Sequence, residues 1–150
     1  MKELKISVPA GYEIDQEKST FENIVFKEII KNIREMIQTM KDVYDLNNIA
    51  ESEFLKNCKN DSSDEVGFKK VKLIVSAYNQ GKTPDFNDNT SKYLPYFDMR
   101  ESSFRYGGYD SWCAHSYASS RLLFLGSEAK ADMFDAVEKF LPEYKQYLIG

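Results

Sequence analysis

The chain has 150 residues, of which 42% are hydrophobic and 29% are charged. This length is typical of one compact domain, so the sequence predicts a single α+β domain over residues 1–150. The net charge of -4 argues against duplex nucleic acid as a partner, because phosphate backbones are bound by positively charged surfaces.

The sequence also predicts a cytoplasmic protein with no membrane partner. No apolar run approaches the roughly 20 residues that span a bilayer, and the first residues contain no apolar stretch of a secretory signal. Cys58 and Cys113 are isolated, so we expect both to be unpaired in a reducing compartment. With one histidine and no cysteine pair, we expect no structural zinc site and no cofactor.

The first half of the chain is predicted to contain a strand, two helices and a loop. Apolar and polar residues alternate over residues 4–8, which is typical of a half-buried strand. From Ile29 the apolar positions recur every three or four residues, which predicts a helix to about Leu46. Residues 51–65 are mostly polar and are predicted to be a mobile loop.

The second helix is the most clearly marked of the chain. Its apolar face consists of Phe68, Val71, Val75 and Tyr78, at helical spacing. Gly81 is predicted to end it, because glycine adopts the left-handed conformation found after a helix.

Short extended segments follow. Residues 93–99 are predicted to be a strand at a sheet edge, because Pro95 cannot donate a hydrogen bond to a neighbouring strand. Residues 104–106 lead into the glycine pair 107–108, a hairpin signal. Residues 121–125 are almost continuously apolar, which favours a central strand covered by helices.

A helix is predicted at the C-terminus. Ser127 is its expected N-cap, and Met133, Val137 and Phe140 form its inner stripe. The predicted fold is therefore α+β, with one small antiparallel sheet of about four to five strands packed against about three helices. The C-terminal helix is expected to lie across that sheet.

Five segments of the chain carry a resemblance to known sequences. They are residues 8–15 (VPAGYEID), 19–27 (STFENIVFK), 82–86 (KTPDF), 92–100 (KYLPYFDMR) and 120–128 (SRLLFLGSE). Together they resemble a family of uncharacterised proteins encoded by phages, prophages and mobile elements of Bacteroidetes bacteria. The chain departs from that family near Phe86, where the family typically has a second tryptophan, and near Leu125, where it typically has a basic residue. The resemblance implies a phage-type origin and no particular activity.

A collection of tyrosine, tryptophan and arginine side chains is the strongest candidate for a binding surface. The candidate residues are Arg105, Tyr106, Tyr109, Trp112 and Arg121. Aromatic rings and arginine are enriched where proteins bind partners, and aromatic rings also stack on bases while arginine contacts phosphate. The competing interpretation is that these rings simply cover the sheet.

A catalytic site is the weaker hypothesis. Cys113 and His115 would share a face if their segment were a strand, with Asp110 orienting the histidine. No group that would stabilise an oxyanion accompanies them, so a structural role is favoured.

The sequence therefore predicts a non-enzymatic binding module of phage origin, whose partner is a host protein or a second copy of the chain. The alternative is a small-ligand binding protein, for instance one that binds a nucleotide in phage counter-defence. A hydrolase that uses Cys113 and His115 is the third possibility.

Overall fold

The computed structural model describes residues 6–29, 31–115 and 119–150. The architecture is α+β, and the chain divides into two compact units, residues 1–32 and residues 33–150. Among the described residues, the first unit contains a two-stranded ribbon, and the second contains six α-helices and another ribbon. The assignment of a single domain stays a prediction.

The N-terminal unit is a short antiparallel ribbon of β1 (Tyr12–Ile14) and β2 (Phe26–Glu28). The buried carboxylate of Asp15 holds the loop between them, accepting the backbone N–H groups of Glu17 and Lys18 at 3.1 Å each. This is an Asx-type turn, in which a short side chain replaces a backbone acceptor.

The strand predicted over residues 4–8 does not appear in its described part. Residues 6–9 have no regular structure, and residues 1–5 lie outside the described ranges. Ile6 and Val8 are exposed, so the alternation of apolar and polar residues there does not correspond to a buried strand face.

The helix predicted from Ile29 to Leu46 is two short helices, α1 (Ile33–Met36) and α2 (Met40–Leu46). The break comes from Thr39, whose backbone N–H donates to the Asp42 carboxylate at 2.8 Å in a capping box. A side chain that offers the backbone such a partner starts a new helix, which the apolar spacing alone does not reveal.

Lys139 satisfies backbone carbonyls at that break. Its ammonium group donates to the carbonyl oxygens of Arg34 at 2.6 Å and Ile37 at 2.8 Å, and pairs with Asp135 at 2.8 Å. Helix ends leave carbonyl groups without intrahelical partners, and a lysine from a neighbouring helix supplies the donors here.

The predicted mobile loop over residues 51–65 was wrong, because α3 (Glu51–Asn57) occupies half of it. Phe54 is buried against Tyr44, with 5.2 Å between ring centroids, and Cys58 completes this small cluster. One buried ring anchors a helix whose other residues are polar apart from the exposed Leu55.

The helix predicted after that loop is α4 (Ser63–Tyr78), the longest helix among the described residues. The Glu65 carboxylate accepts the backbone N–H of Ser62 at 2.8 Å at its start. At its end the N–H of Gly81, with φ of 74°, donates to the carbonyl of Ser76 at 2.9 Å. The helix ends close to the predicted place, but Gln80, with φ of 52°, takes the left-handed position directly after the C-cap residue, and Gly81 follows it.

The prediction of one sheet with four to five strands was wrong. The described residues form two separate two-stranded antiparallel sheets, the N-terminal ribbon and a ribbon of β3 (Lys92–Asp98) and β4 (Arg105–Trp112). The turn of this hairpin contains a short 3-10 helix at Glu101–Ser103. The glycine pair 107–108 was predicted to form the turn but lies inside β4.

The predicted central strand over residues 121–125 was also wrong. Ser120–Leu122 is a 3-10 helix, and Phe124 alone pairs with β3. The Phe124 N–H donates to the Tyr93 carbonyl at 2.9 Å, and the Tyr93 N–H returns a bond at 3.1 Å. This apolar run is thus buried in an irregular conformation. The hydrophobic pattern of the sequence cannot distinguish such a segment from a buried strand.

The prediction of about three helices, with the last one across the sheet, was wrong as well. Pro142 lies in the first turn of α6 (Leu141–Ile149), so it separates that helix from α5 (Ala129–Lys139). α5 contacts β3, while α6 packs mainly against α4. The predicted inner stripe of Met133, Val137 and Phe140 is buried in the main core together with Phe124.

Candidate functional site

Two of the predicted binding residues face the core side of the β3–β4 ribbon. Tyr106 and Tyr109 both pack against Phe134 of α5, with ring centroids 5.4 and 6.0 Å away. The Lys130 ammonium group lies 4.5 Å from the centre of the Tyr109 ring. These rings therefore cover the ribbon, as the competing interpretation of the sequence proposed.

A β-bulge explains why side chains three residues apart share one face. The register passes from Tyr96 opposite Gly108 to Phe97 opposite Tyr106, which leaves Gly107 as the extra residue. An inserted residue shifts the alternation by one, so Tyr106 and Tyr109 point the same way.

The two glycines also make room for a ring from the opposite strand. The side chain of Tyr96 lies over Gly107 and Gly108, and a Cβ atom at Gly108 would lie 2.9 Å from its Cε1 atom. Glycine in a strand commonly marks such a close approach. The glycine pair therefore forms the bulge and leaves space for the Tyr96 ring, and it does not form a hairpin turn.

The other three predicted residues are not gathered around those tyrosines. Arg105 is exposed and pairs with Asp98 at 3.5 Å, and Trp112 is half-buried at the end of β4. Arg121 is exposed on the 3-10 helix and lines a small pocket beside α4. Their role in binding stays a prediction.

A cleft of about 830 Å³ lies among the described residues, and none of the five predicted residues lines it. We call it the aromatic cleft. Its mainly apolar wall comprises Phe68, Leu94, Pro95, Tyr96, Phe97, Met99, Leu122, Tyr144, Tyr147 and Leu148. Its volume lies in the range of ~300–1,000 Å³ that is usual for ligand sites.

The aromatic cleft runs along an edge of β3. Successive side chains of a strand point to opposite faces, so a cleft that contacts all of residues 94–97 must lie along the strand's edge. This edge faces away from β4, because Tyr93 bonds Phe124 there through both its N–H and its carbonyl. In an antiparallel strand, the backbone groups of every second residue point to the same edge. The backbone groups of Pro95 and Phe97 therefore point to the edge that Tyr93 uses.

One rim of the aromatic cleft is acidic. Asp61, Asp64 and Glu65 contribute three carboxylates at the start of α4, and Lys69 contributes one ammonium group, which pairs with Asp61. That bond lowers the pKa of Asp61, and the hydrogen bond from the Ser62 hydroxyl lowers the pKa of Asp64. The rim is therefore negatively charged at neutral pH.

Tyr144 is the buried polar group of the cleft wall. Its side chain is almost fully buried and its ring packs on Phe97 at 5.0 Å. Its hydroxyl has no hydrogen-bond partner among the described residues, and burial raises its pKa. An unpaired buried hydroxyl costs ~1–3 kcal/mol of stability.

The arrangement of Cys113 and His115 gives no support to nucleophilic catalysis. β4 ends at Trp112, so the shared strand face on which that hypothesis depended is not formed. The Cys113 thiol donates to the backbone carbonyl of Asn89 at 3.2 Å, and no hydrogen bond joins it to His115 within the described ranges. Cys58 and Cys113 are both free thiols, as predicted.

Only weak signals in the sequence indicated the aromatic cleft. Pro95 indicated an unpaired strand edge, and that part of the prediction agrees with the structure. Tyr96 and Met99 are exposed apolar residues beside it, but their exposure depends on the bulge and on the hairpin turn. The α4 and α6 residues reach the cleft only through the close packing of these helices.

Comparisons with protein-family models, with curated proteins and with solved structures gave no match to this chain. In the described part of the chain, no helix combines the length and the apolar character needed to cross a bilayer. The same residues contain no cluster of three or more His, Cys, Asp or Glu side chains arranged to hold a metal ion. Function has to be argued from the aromatic cleft itself.

Proposed function

We propose that the protein is a non-enzymatic binding module whose aromatic cleft holds an extended segment of a partner polypeptide. The partner segment would carry an apolar anchor side chain next to a basic residue. The observation that supports this most directly is the position of the cleft along an edge of β3.

An extended peptide is the natural occupant of such an edge. Strand addition uses the backbone groups of an edge strand for affinity and the neighbouring pockets for specificity. Phe124 already pairs with β3 in this way at Tyr93, and the edge continues along the cleft. Pro95 supplies only its carbonyl, which limits unspecific pairing of the edge with other strands.

The lining favours an apolar anchor beside a positive charge. Exposed apolar side chains, including Tyr96 and Met99, give the anchor a surface to bury, while the acidic rim attracts Lys or Arg. No arginine is among the described residues that line the aromatic cleft, so the cleft gives little support to a phosphate-bearing ligand.

The origin of the protein and the identity of its partner belong to the same proposal. The resemblance of the five segments to proteins of phages and mobile elements supports a phage-type origin, with a host protein as the partner. A second copy of this chain and a small cationic ligand are the competing occupants.

A library of short random peptides displayed on beads tests the proposal directly. We expect the purified protein to enrich peptides that combine an aliphatic or aromatic residue with Lys or Arg, and to bind them more weakly as salt is added. Enrichment of no peptide would contradict the proposal. A small molecule retained in native mass spectrometry that blocks peptide binding would favour the small-ligand alternative.

A matched pair of methionine variants identifies the site. Met99 lines the aromatic cleft and is 48% exposed, whereas Met36 is 42% exposed and does not line it. Met99→Lys should weaken the enriched peptide roughly tenfold in fluorescence anisotropy, by analogy with interface hot spots. Met36→Lys adds the same charge and should leave the affinity unchanged. Equal effects of the two variants would exclude the cleft as the site.

A further inference from the structure

A second, smaller pocket has the opposite charge. It has a volume of about 280 Å³ and lies beside the end of α4. Lys72, Lys82 and Arg121 are cationic residues of its lining, and no described Asp or Glu lines it. We call it the basic pocket.

The cations of the basic pocket have no carboxylate partner within ion-pair distance among the described residues. None of the ion pairs between described residues involves Lys82 or Arg121, although the chain as a whole has a net charge of -4. Lys72 contacts the ring of Phe68 at 5.6 Å from its centre. Like charges that share a concave surface repel each other, and an anion placed between them relieves that repulsion.

The pocket also offers neutral donors. Ser76 and Ser120 line it, and the hydroxyl group of neither forms a hydrogen bond with another described residue. Asn79 is already used, since its amide bonds the Leu123 carbonyl and the Leu125 N–H. The free groups are thus guanidinium, ammonium and hydroxyl donors, the set that proteins use to bind phosphate oxygens.

We propose that the basic pocket is an anion site that binds a phosphate group, either free or carried on a small organic molecule. The site is separate from the peptide-binding role of the aromatic cleft. The proposal also assigns Arg121, which the sequence predicted as a binding residue, a role in contacting the phosphate group.

A different explanation is that the cations only stabilise α4. The C-terminal end of a helix carries partial negative charge, and cations near it stabilise the helix without any ligand. This explanation predicts that removal of Lys82 and Arg121 lowers the melting temperature, with no effect on anions.

The test is an NMR titration of the ¹⁵N-labelled full chain with inorganic phosphate, adenosine monophosphate and adenosine. We expect saturable shifts of the Gly81 and Lys82 amides with the two phosphate-bearing probes and none with adenosine. Tighter binding of the nucleotide than of phosphate would show that the pocket also holds the carrier molecule. Absence of shifts with both phosphate probes at millimolar concentration would overturn the proposal.

Charge-matched variants separate a built site from a general loss of positive charge. Lys82→Ala/Arg121→Ala should weaken phosphate binding roughly tenfold, because two charge-assisted donors are lost. Lys59→Ala/Lys145→Ala removes the same charge from exposed lysines outside both pockets and should have little effect. Equal weakening by the two double variants would overturn the proposal.

Arg121→Lys distinguishes ligand binding from helix stabilisation. It keeps the charge near the helix end but loses the planar fork of the guanidinium group. We expect severalfold weaker phosphate binding at an unchanged melting temperature. Unchanged phosphate binding by the variant would count against recognition of phosphate by Arg121.

Discussion

Two buried polar groups, one at the start of the β3–β4 ribbon and one in α6, differ in whether they have hydrogen-bond partners. Lys92 of the ribbon is only 2% exposed, and its ammonium group has three oxygen partners. They are the Asp88 carboxylate at 2.7 Å, the Thr90 carbonyl at 3.0 Å and the Cys113 carbonyl at 2.9 Å. Tyr144 of α6 is equally buried, yet its hydroxyl has no partner among the described residues.

The difference follows from the cost of burial. A buried charge without partners costs several kcal/mol, so Lys92 is tolerated only because all three of its N–H groups are bonded. A neutral hydroxyl costs ~1–3 kcal/mol, which good packing of the same ring can offset. The start of the ribbon therefore depends on the three bonds of Lys92, whereas Tyr144 depends on the packing of its ring.

The largest effect is expected for Lys92→Met. The variant removes the charge and leaves the carbonyls of Thr90 and Cys113 without this donor, which should lower the free energy of unfolding by ~3 kcal/mol. Urea denaturation measures this change in the free energy of unfolding. Lys41 is the control, because it pairs with Asp45 on an exposed surface, and Lys41→Met should change stability very little.

Two Tyr→Phe variants compare a bonded hydroxyl with an unpaired one. The Tyr78 hydroxyl donates to the Asp135 carboxylate at 2.6 Å, so Tyr78→Phe should cost ~2 kcal/mol. Tyr144→Phe should instead raise the free energy of unfolding by ~1 kcal/mol, because it removes an unpaired buried group. A loss of stability in Tyr144→Phe would show that its hydroxyl has a partner in solution.

Gly67→Ala tests the close packing of α4 on α6. A Cβ atom at Gly67 would lie 2.6 Å from the Tyr147 Cα atom, so the helices must separate. Overpacking costs ~1–3 kcal/mol and the gain in helix propensity returns ~1 kcal/mol, for a net loss of ~1 kcal/mol. A gain in thermal stability, as at an open helix position, would contradict this packing.

The smallest effect concerns pH. The hydrogen bonds from Lys92 and Thr90 lower the pKa of Asp88 to about 2, from its ordinary value of 3.8. A lowered pKa stabilises the fold fully above the ordinary value, and this contribution is lost as the pH falls from about 4 to about 2. Asp88→Asn should remove that part of the acid dependence of stability. Asp85→Asn, in the same connector, should retain it.

The parts of the fold that depend on local spacing were predictable. α4 has a continuous apolar stripe from Phe68 to Tyr78 and a glycine shortly after its end, and both its presence and its approximate end were foreseen. α3 was missed because Phe54 is its single buried residue. The break before α2 depends on a capping bond at Thr39, which competes with the apolar spacing.

The ribbon and the candidate site were harder to predict because they depend on contacts between distant residues. Glycine pairs occur in hairpin turns and in β-bulges alike. Here the pair lies at a bulge, with the Tyr96 ring over it. The aromatic cleft draws its walls from α4, β3, the 3-10 helix at Ser120–Leu122 and α6. No local pattern links these segments, since their proximity follows from the packing of the core.

The ring of Tyr96 over the glycine pair has a consequence for sequence variation. Any side chain at Gly108 would overlap the tyrosine ring, and the φ of 157° there is one that L residues rarely adopt, so glycine is favoured on two grounds. A smaller residue at position 96 removes only the first of them. Descendants of this protein should therefore retain this glycine more strictly than the tyrosine, which leaves position 96, in the wall of the aromatic cleft, the freer of the two to change with ligand preference.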